Sequence, residues 1–324
     1  LVMLIAFPLM LSIEGSRGFR RLIYFLCVGV ILAGIVATLS RGGFLGLVAV
    51  LGYAFYRSKA KVAMSVVALL VIGGGLFFIP QSYWQEMSTI STEASTAQQR
   101  FAIWEVAFRV WFTPAHFLTG VGMQNTAFWL GDYESVIARS AFGLSIAGRA
   151  VHSLWFQTLG DLGLLGIMIV ILLAWYSIRS VRRVNAVCHE MQRALPSSFH
   201  RVSEILQLGG RERLPVDDAS TGTQVVFTRD ELKNLQTSQV ALDALHQECS
   251  YLRALSVAVT AAWLGVLVSA TFISVLYYPP IWVLGGLSAA IECYGERVQR
   301  AGIALIERTA PVETEPRSPR RLAD

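Results

Sequence analysis

Apolar windows recur along the chain at 22–40, 42–56, 62–79, 153–178 and 254–274, with a partial one at 1–13 and a shorter one at 281–293. A helix needs about 20 predominantly apolar residues to cross a bilayer. Most of these windows approach that length, and none alternates with the period of two that marks a barrel strand. The pattern predicts an all-α, polytopic helical membrane protein. The opening "LVMLIAFPLMLSI" is too short for a full span, and no basic segment precedes it as in a signal peptide. It reads as the end of a helix, with further helices expected before Leu1.

The polar connections sort by charge. "EGSRGFRR" (14–21), "RSKAK" (57–61), the segment opening "RSVRRV" at 179 and the tail after Glu292 are rich in Arg and Lys. The positive-inside rule places all four in the cytoplasm. The connections at 40–43, 80–152 and 275–280 then face outward. The expected organisation is membrane helices over 1–79, a periplasmic loop over 80–152, a membrane helix over 153–178, a cytoplasmic loop over 179–253, membrane helices over 254–293 and a disordered cytoplasmic tail over 294–324.

Within the outward loop, "STAQQRFAIWEVAFRVWFTP" offers Ser95 as an N-cap with Gln98 three residues on, Trp104, Phe108 and Trp111 on one face, and Pro114 as a stop. An amphipathic helix against the membrane surface is expected there, with Glu105 and Arg109 paired one turn apart. Trp84, Trp129 and Trp155 flank it; an interfacial aromatic belt and stacking on sugar rings both suit such residues. The inward loop reads as a helical hairpin. Its first helix, 179–195, stops at Pro196; the second opens on a Thr228–Glu231 capping box and carries Leu232, Leu235, Leu242, Leu245 and Leu252 near heptad spacing.

Composition agrees with the pattern: 54% of the 324 residues are hydrophobic and 15% charged, with a formal net charge of +5. Cys27, Cys188, Cys249 and Cys293 show neither a disulfide framework nor a metal-ligand spacing. The outer loop has no acidic cluster suited to a divalent cation, so neither metal nor cofactor is expected, and no nucleic-acid partner.

Three outward residues invite chemistry. Arg41 is the single charge between residues 22 and 56, in a turn where Gly42 and Gly43 allow the chain to reverse. Arg100 opens the amphipathic helix, and His152 stands at the outer end of a span. Singly, each has an ordinary reading: a snorkelling arginine, a solvated charge, a helix cap. Together they place two permanent cations and one titratable imidazole at one membrane surface.

The stretch from Thr38 to Leu47, "QQRFAIW" with the downstream "TPAHFLTGVG", and the His152 segment, in this order and separation, resemble the O-antigen ligase and polymerase superfamily. The ligase pattern of His, a small polar residue, nine residues, Gly, two residues and Gly is met by His152, Ser153, Gly163 and Gly166. "MSTISTEASTAQQRFAIW", "HSLWFQTLGDLGLLG" and "TFISVLYYPPIWVLGGL" are similar to the exosortase-A-associated O-glycosylation ligases, and the resemblance spans about residues 30–293. It implies transfer of a glycan from an undecaprenyl-diphosphate-linked donor to a protein, lipid or glycan acceptor on the periplasmic face of the inner membrane. Fixed arginines suit a departing diphosphate because their planar forks bind phosphate oxygens and stay charged. Neutral histidine suits removal of a hydroxyl proton. The resemblance thus assigns Arg41 and Arg100 to the diphosphate and His152 to general base. Ser153, Arg109, Trp104 and Arg149 are weaker substrate-binding candidates. A polymerase would use the same donor. A transporter would need ionisable groups in the span interiors, and a secretion scaffold would need only the cytoplasmic hairpin.

Overall fold

The computed structural model describes residues 1–15, 18–38, 40–58, 61, 90–134, 139, 142, 143, 145–209, 229–273, 277 and 279–309. The expected span at 62–79 and Trp84 lie outside them. Among the described residues every regular element is helical: α1 (Val2–Met10, continued by a π turn, Leu11–Gly15), α2 (Phe19–Ala37), α3 (Arg41–Arg57), α4 (Ile90–Trp111), α5 (Thr126–Trp129), α6 (Leu154–Gly209), α7 (Arg229–Ala270) and α8 (Pro279–Thr309). Three helical segments, Phe19–Ala37, Leu154–Leu195 and Gln236–Ala270, are long and apolar enough to cross a membrane.

The chain divides into two compact units. The first comprises Leu1–Arg183 with Ala254–Glu292. In α2 only Ile35 is buried, while Leu22, Leu26 and Val30 face outward. Such a helix is stable only where its surroundings are themselves apolar, and its backbone groups are satisfied internally as a bilayer demands. In α7, by contrast, Val257, Val259, Trp263 and their neighbours are enclosed by protein. Helix α3 crosses α7 closely. A Cβ on Gly46 would stand 2.7 Å from the Gly265 carbonyl oxygen, one on Gly265 2.6 Å from Val50, and Ser269 Oγ donates to the Gly42 carbonyl at 2.9 Å. Small residues at a crossing let backbones approach where no hydrophobic effect drives association. This revises the expected turn at 40–43. Gly42 and Gly43 lie inside α3, capped by Ser40, whose Oγ accepts from Gly43 N at 3.1 Å. Gly42 serves helix packing in place of reversal.

The second unit comprises Val184–Arg253 with Cys293–Asp324. Cys188, Met191 and Leu195 of α6 are buried with Leu242, Leu245, Cys249 and Leu252 of α7 and Val298 of α8. The expected heptad leucines 242, 245 and 252 form its seam; the side chains of Leu232 and Leu235 lie outside the described residues. Arg253 donates to Gln192 Oε1 at 2.6 Å, and Gln192 Nε2 donates to Ser250 Oγ at 2.7 Å.

Three expected boundaries move. Pro196 does not end its helix, because α6 runs on to Gly209; an internal proline removes one bond and kinks a helix without always stopping it. The helix predicted from Thr228 begins at Arg229 and continues without interruption into the membrane segment as α7, with the capping residue itself outside the described residues. Helix α8 continues to Thr309 and so covers the first part of the expected tail.

Candidate active site

Helix α6 is broken near its start. Gly163 has φ 64° and ψ −157°, values no helix contains, which separates a short segment, 154–162, from the long remainder. A break inside a membrane segment frees backbone groups that need new partners. The loop after α4 supplies them. Val121 N donates to Gly160 O and Gly122 N to Asp161 O, both at 2.9 Å; Leu164 N donates to Phe117 O at 3.0 Å and Leu165 N to Leu118 O at 3.1 Å. This contact has no room for side chains. A Cβ on Gly163 would stand 2.5 Å from the Leu118 carbonyl, and one on Gly120, at φ 68°, 2.4 Å from the Asp161 backbone. Gly120 of "TGVG" and Gly163 of "GDLGLLG" are thus two halves of one backbone-to-backbone joint.

The short segment carries His152 immediately before its first turn. His152 has φ 52°, a left-handed conformation that costs a non-glycine residue about 1–3 kcal/mol and persists only where the surroundings impose it. Two tryptophans do so. Trp104 Nε1 donates to the Val151 carbonyl at 2.9 Å and its ring stacks on Phe156 at 5.2 Å. Trp155 Nε1 donates to Thr271 Oγ1 at 3.2 Å. His152 itself is exposed. Partial burial, and then the charge of Arg100, hold its pKa below the ordinary 6.5. Both causes disfavour the imidazolium, leaving a neutral base available at neutral pH.

The Trp104 bond to the Val151 carbonyl brings together the segments that carry Arg100 and His152. Arg100 is half-buried on α4, one turn before Trp104. Arg41 occupies the first position of α3, and its side chain lies outside the described residues. Its backbone belongs to the same end of the first unit: the adjacent Gly42 touches Ser269 and Ile273, while Thr271 between them holds Trp155. Ser153 is fully buried, and its Oγ has no hydrogen-bond partner among the described residues.

Other expectations change. Helix α4 starts at Ile90, so Ser95 lies within it instead of at its N-cap position. Its buried residues Ile103, Val106 and Ala107 pack with Leu130, Ile146 and Val151, and Val110 is buried as well, whereas Phe108 is exposed. The helix thus lays its apolar face on the core of the loop that follows it. Trp104 is 8% exposed and fully engaged, so it positions the His152 backbone and is unavailable to stack on a sugar. Arg109 pairs with Glu105 at 2.7 Å, as the spacing predicted. Arg149 is exposed, its guanidinium 4.3 Å from the Phe142 ring centroid. The side chain of Glu134 is enclosed, accepting from Ile146 N at 3.0 Å and from Arg139 at 3.1 Å, so it organises the loop from within.

Sequence reasoning passed over Asp161. Its carboxylate, 0% exposed, accepts from Thr126 N at 2.9 Å, from Thr126 Oγ1 and from Tyr277 Oη at 2.7 Å. An acid inside an apolar window was the available signal. Among the described residues no three His, Cys, Asp or Glu side chains gather as a metal site would require.

Neither curated proteins nor solved structures gave a significant match to the chain. The O-antigen ligase family profile matches residues 2–171, more than half of the chain and every element of this site except the 271–277 connection. This multi-pass membrane protein belongs to the O-antigen ligase family of glycan-transferring enzymes.

Proposed function

We propose that the protein transfers a glycan from undecaprenyl diphosphate to an acceptor hydroxyl at the outer face of the inner membrane. The observation that carries this reading is His152, held in a left-handed backbone conformation beside Arg100 with its pKa lowered. A neutral imidazole takes the acceptor's proton as the acceptor oxygen bonds to the anomeric carbon. The bond from that carbon to the diphosphate breaks, and the electron pair leaves with the lipid diphosphate. Arg100, and Arg41 from the start of α3, meet the growing negative charge. Arg149, exposed and bearing no ion pair among the described residues, is a further cation. The Lys- and Arg-rich segments at 57–61 and from 179 onward lie at the opposite ends of α3 and of the membrane part of α6, which supports an outward-facing His152. The acceptor hydroxyl belongs to a protein, lipid or glycan.

The test is glycan transfer by His152→Ala at wild-type membrane levels. General-base removal costs about 10²–10⁴-fold in rate, so transfer should fall by that factor while lipid-linked glycan accumulates. Full-length lipid-linked glycan in that strain marks a ligase, and single repeat units mark a polymerase. Unchanged transfer would refute the assignment.

A further inference from the structure

The short segment 154–162 has His152 at one end and Asp161 at the other. Its first end is tied by two neutral indole bonds, from Trp104 to the Val151 carbonyl and from Trp155 to Thr271. Its far end is tied by a charged group. Asp161 gathers Thr126 N and Oγ1 on one oxygen and Tyr277 Oη on the other. Tyr277 in turn accepts from Gln124 N at 3.3 Å, and Gln124, like His152, has a positive φ, here 59°. One enclosed carboxylate therefore joins three pieces of chain: the loop after α4, the broken start of α6 and the connection between α7 and α8. Hydrogen bonds to an ionised acceptor are about twice as strong as neutral ones, and more so away from water. Backbone bonds from Val121 and Gly122 hold the same end, and the carboxylate adds to them side-chain ties to residues 126 and 277.

We propose that Asp161 is a positioning residue that, with Tyr277 and Thr126, fixes the broken segment of α6 and thereby sets where His152 stands. This rests on His152 being the acting base only for its effect on transfer; the placement of His152 can be measured without substrate. Tyr277 supports the role from its own side, since burial first, and then its bond to Asp161 and that carboxylate's charge, push its pKa up, keeping the hydroxyl protonated as a donor.

The experiment uses the full-length protein in detergent and diethyl pyrocarbonate, which carbethoxylates neutral imidazole, with modification of each histidine-containing peptide followed by mass spectrometry against pH. In the wild type His152 should titrate below 6.5, and His246 in the second unit serves as internal control. Asp161→Ala should move the His152 profile upward towards 6.5, as the ring moves away from Arg100 and the partial cover of its surroundings, and leave His246 unchanged. Transfer should fall about tenfold to a hundredfold at equal membrane levels, the range that small misplacement of a reacting group produces. Asp161→Asn, which keeps an oxygen acceptor for Thr126, and Tyr277→Phe, which removes one donor, should shift the profile in the same direction by less, and they serve if Asp161→Ala fails to insert. A His152 profile superimposable on the wild type in these variants overturns the proposal whatever happens to transfer. If the profile moves but His152→Ala keeps full transfer, the functional reading fails and the positioning role stands.

Discussion

The two sides of Gly163 belong to one helix and live in different solvents. Before the glycine, Leu154, Thr158 and Asp161 are fully enclosed, and the segment is held by indoles, a carboxylate and the backbone of a neighbouring loop. After it, Leu165, Ile169, Ile171, Leu172 and Trp175 present more than two fifths of their surface outward, as a lipid-facing span does. The break is what allows both. It turns the chain out of the packed helix, exposes four backbone groups to be satisfied by 117–122, and lets a polar, specifically tied segment end in a strained histidine. A helix continuous through Gly163 could not form these four bonds.

The strongest way to abolish the difference is to fill the joint. Gly163→Ala forces a Cβ to 2.5 Å from the Leu118 carbonyl at a positive φ, which should cost about 3 kcal/mol or more and strongly reduce folded protein in membranes. Gly286→Ala, where nothing lies within 4 Å, is the matched control. In a helix interior it should be neutral or stabilise by up to about 1 kcal/mol; thermal unfolding in detergent reads both. A milder cut is Trp104→Phe, which keeps an aromatic ring against Phe156 but loses the bond to Val151. A single buried bond contributes about 1 kcal/mol and leaves a carbonyl unsatisfied, so transfer should drop several-fold with modest loss of stability. On the far side of the break, Leu172→Ala, at a position 58% exposed, should change unfolding by no more than about 0.5 kcal/mol, as for surface positions generally. A large effect there would mean that protein covers that face.

Much of this arrangement was legible beforehand. Three of the apolar windows fall on helices long and apolar enough to cross a membrane, and Arg100 and His152, whose segments meet through Trp104 and Val151, stood out as candidates. What could not be read is what depends on backbone contact between distant segments. Gly120 and Gly163 looked like parts of separate motifs, because their shared purpose appears only when Phe117 to Gly122 lies against Gly160 to Leu165. Gly42 and Gly43 looked like a turn, since a sequence does not show that α7 approaches α3 closely enough to need a missing side chain. Trp104 looked interfacial because the amphipathic pattern of α4 was set one residue out of phase, with the loop core on the Ile103 side taken for solvent. Asp161 was hidden by its apolar neighbours.

The central claim is that His152 acts as a neutral base under the influence of Arg100. Its most direct test is the pH dependence of glycan transfer in detergent for the wild type and for the residual activity of Arg100→Gln. A pKa lowered by burial and by Arg100 keeps the imidazole neutral to more acidic pH, so wild-type transfer should hold down through pH 6.5 and fall only below it. Removing the arginine's charge stabilises the imidazolium, and the acid limb of Arg100→Gln should move up towards 6.5. An acid limb that stays in place on this substitution, or a wild-type rate that already falls above pH 6.5, would contradict the account.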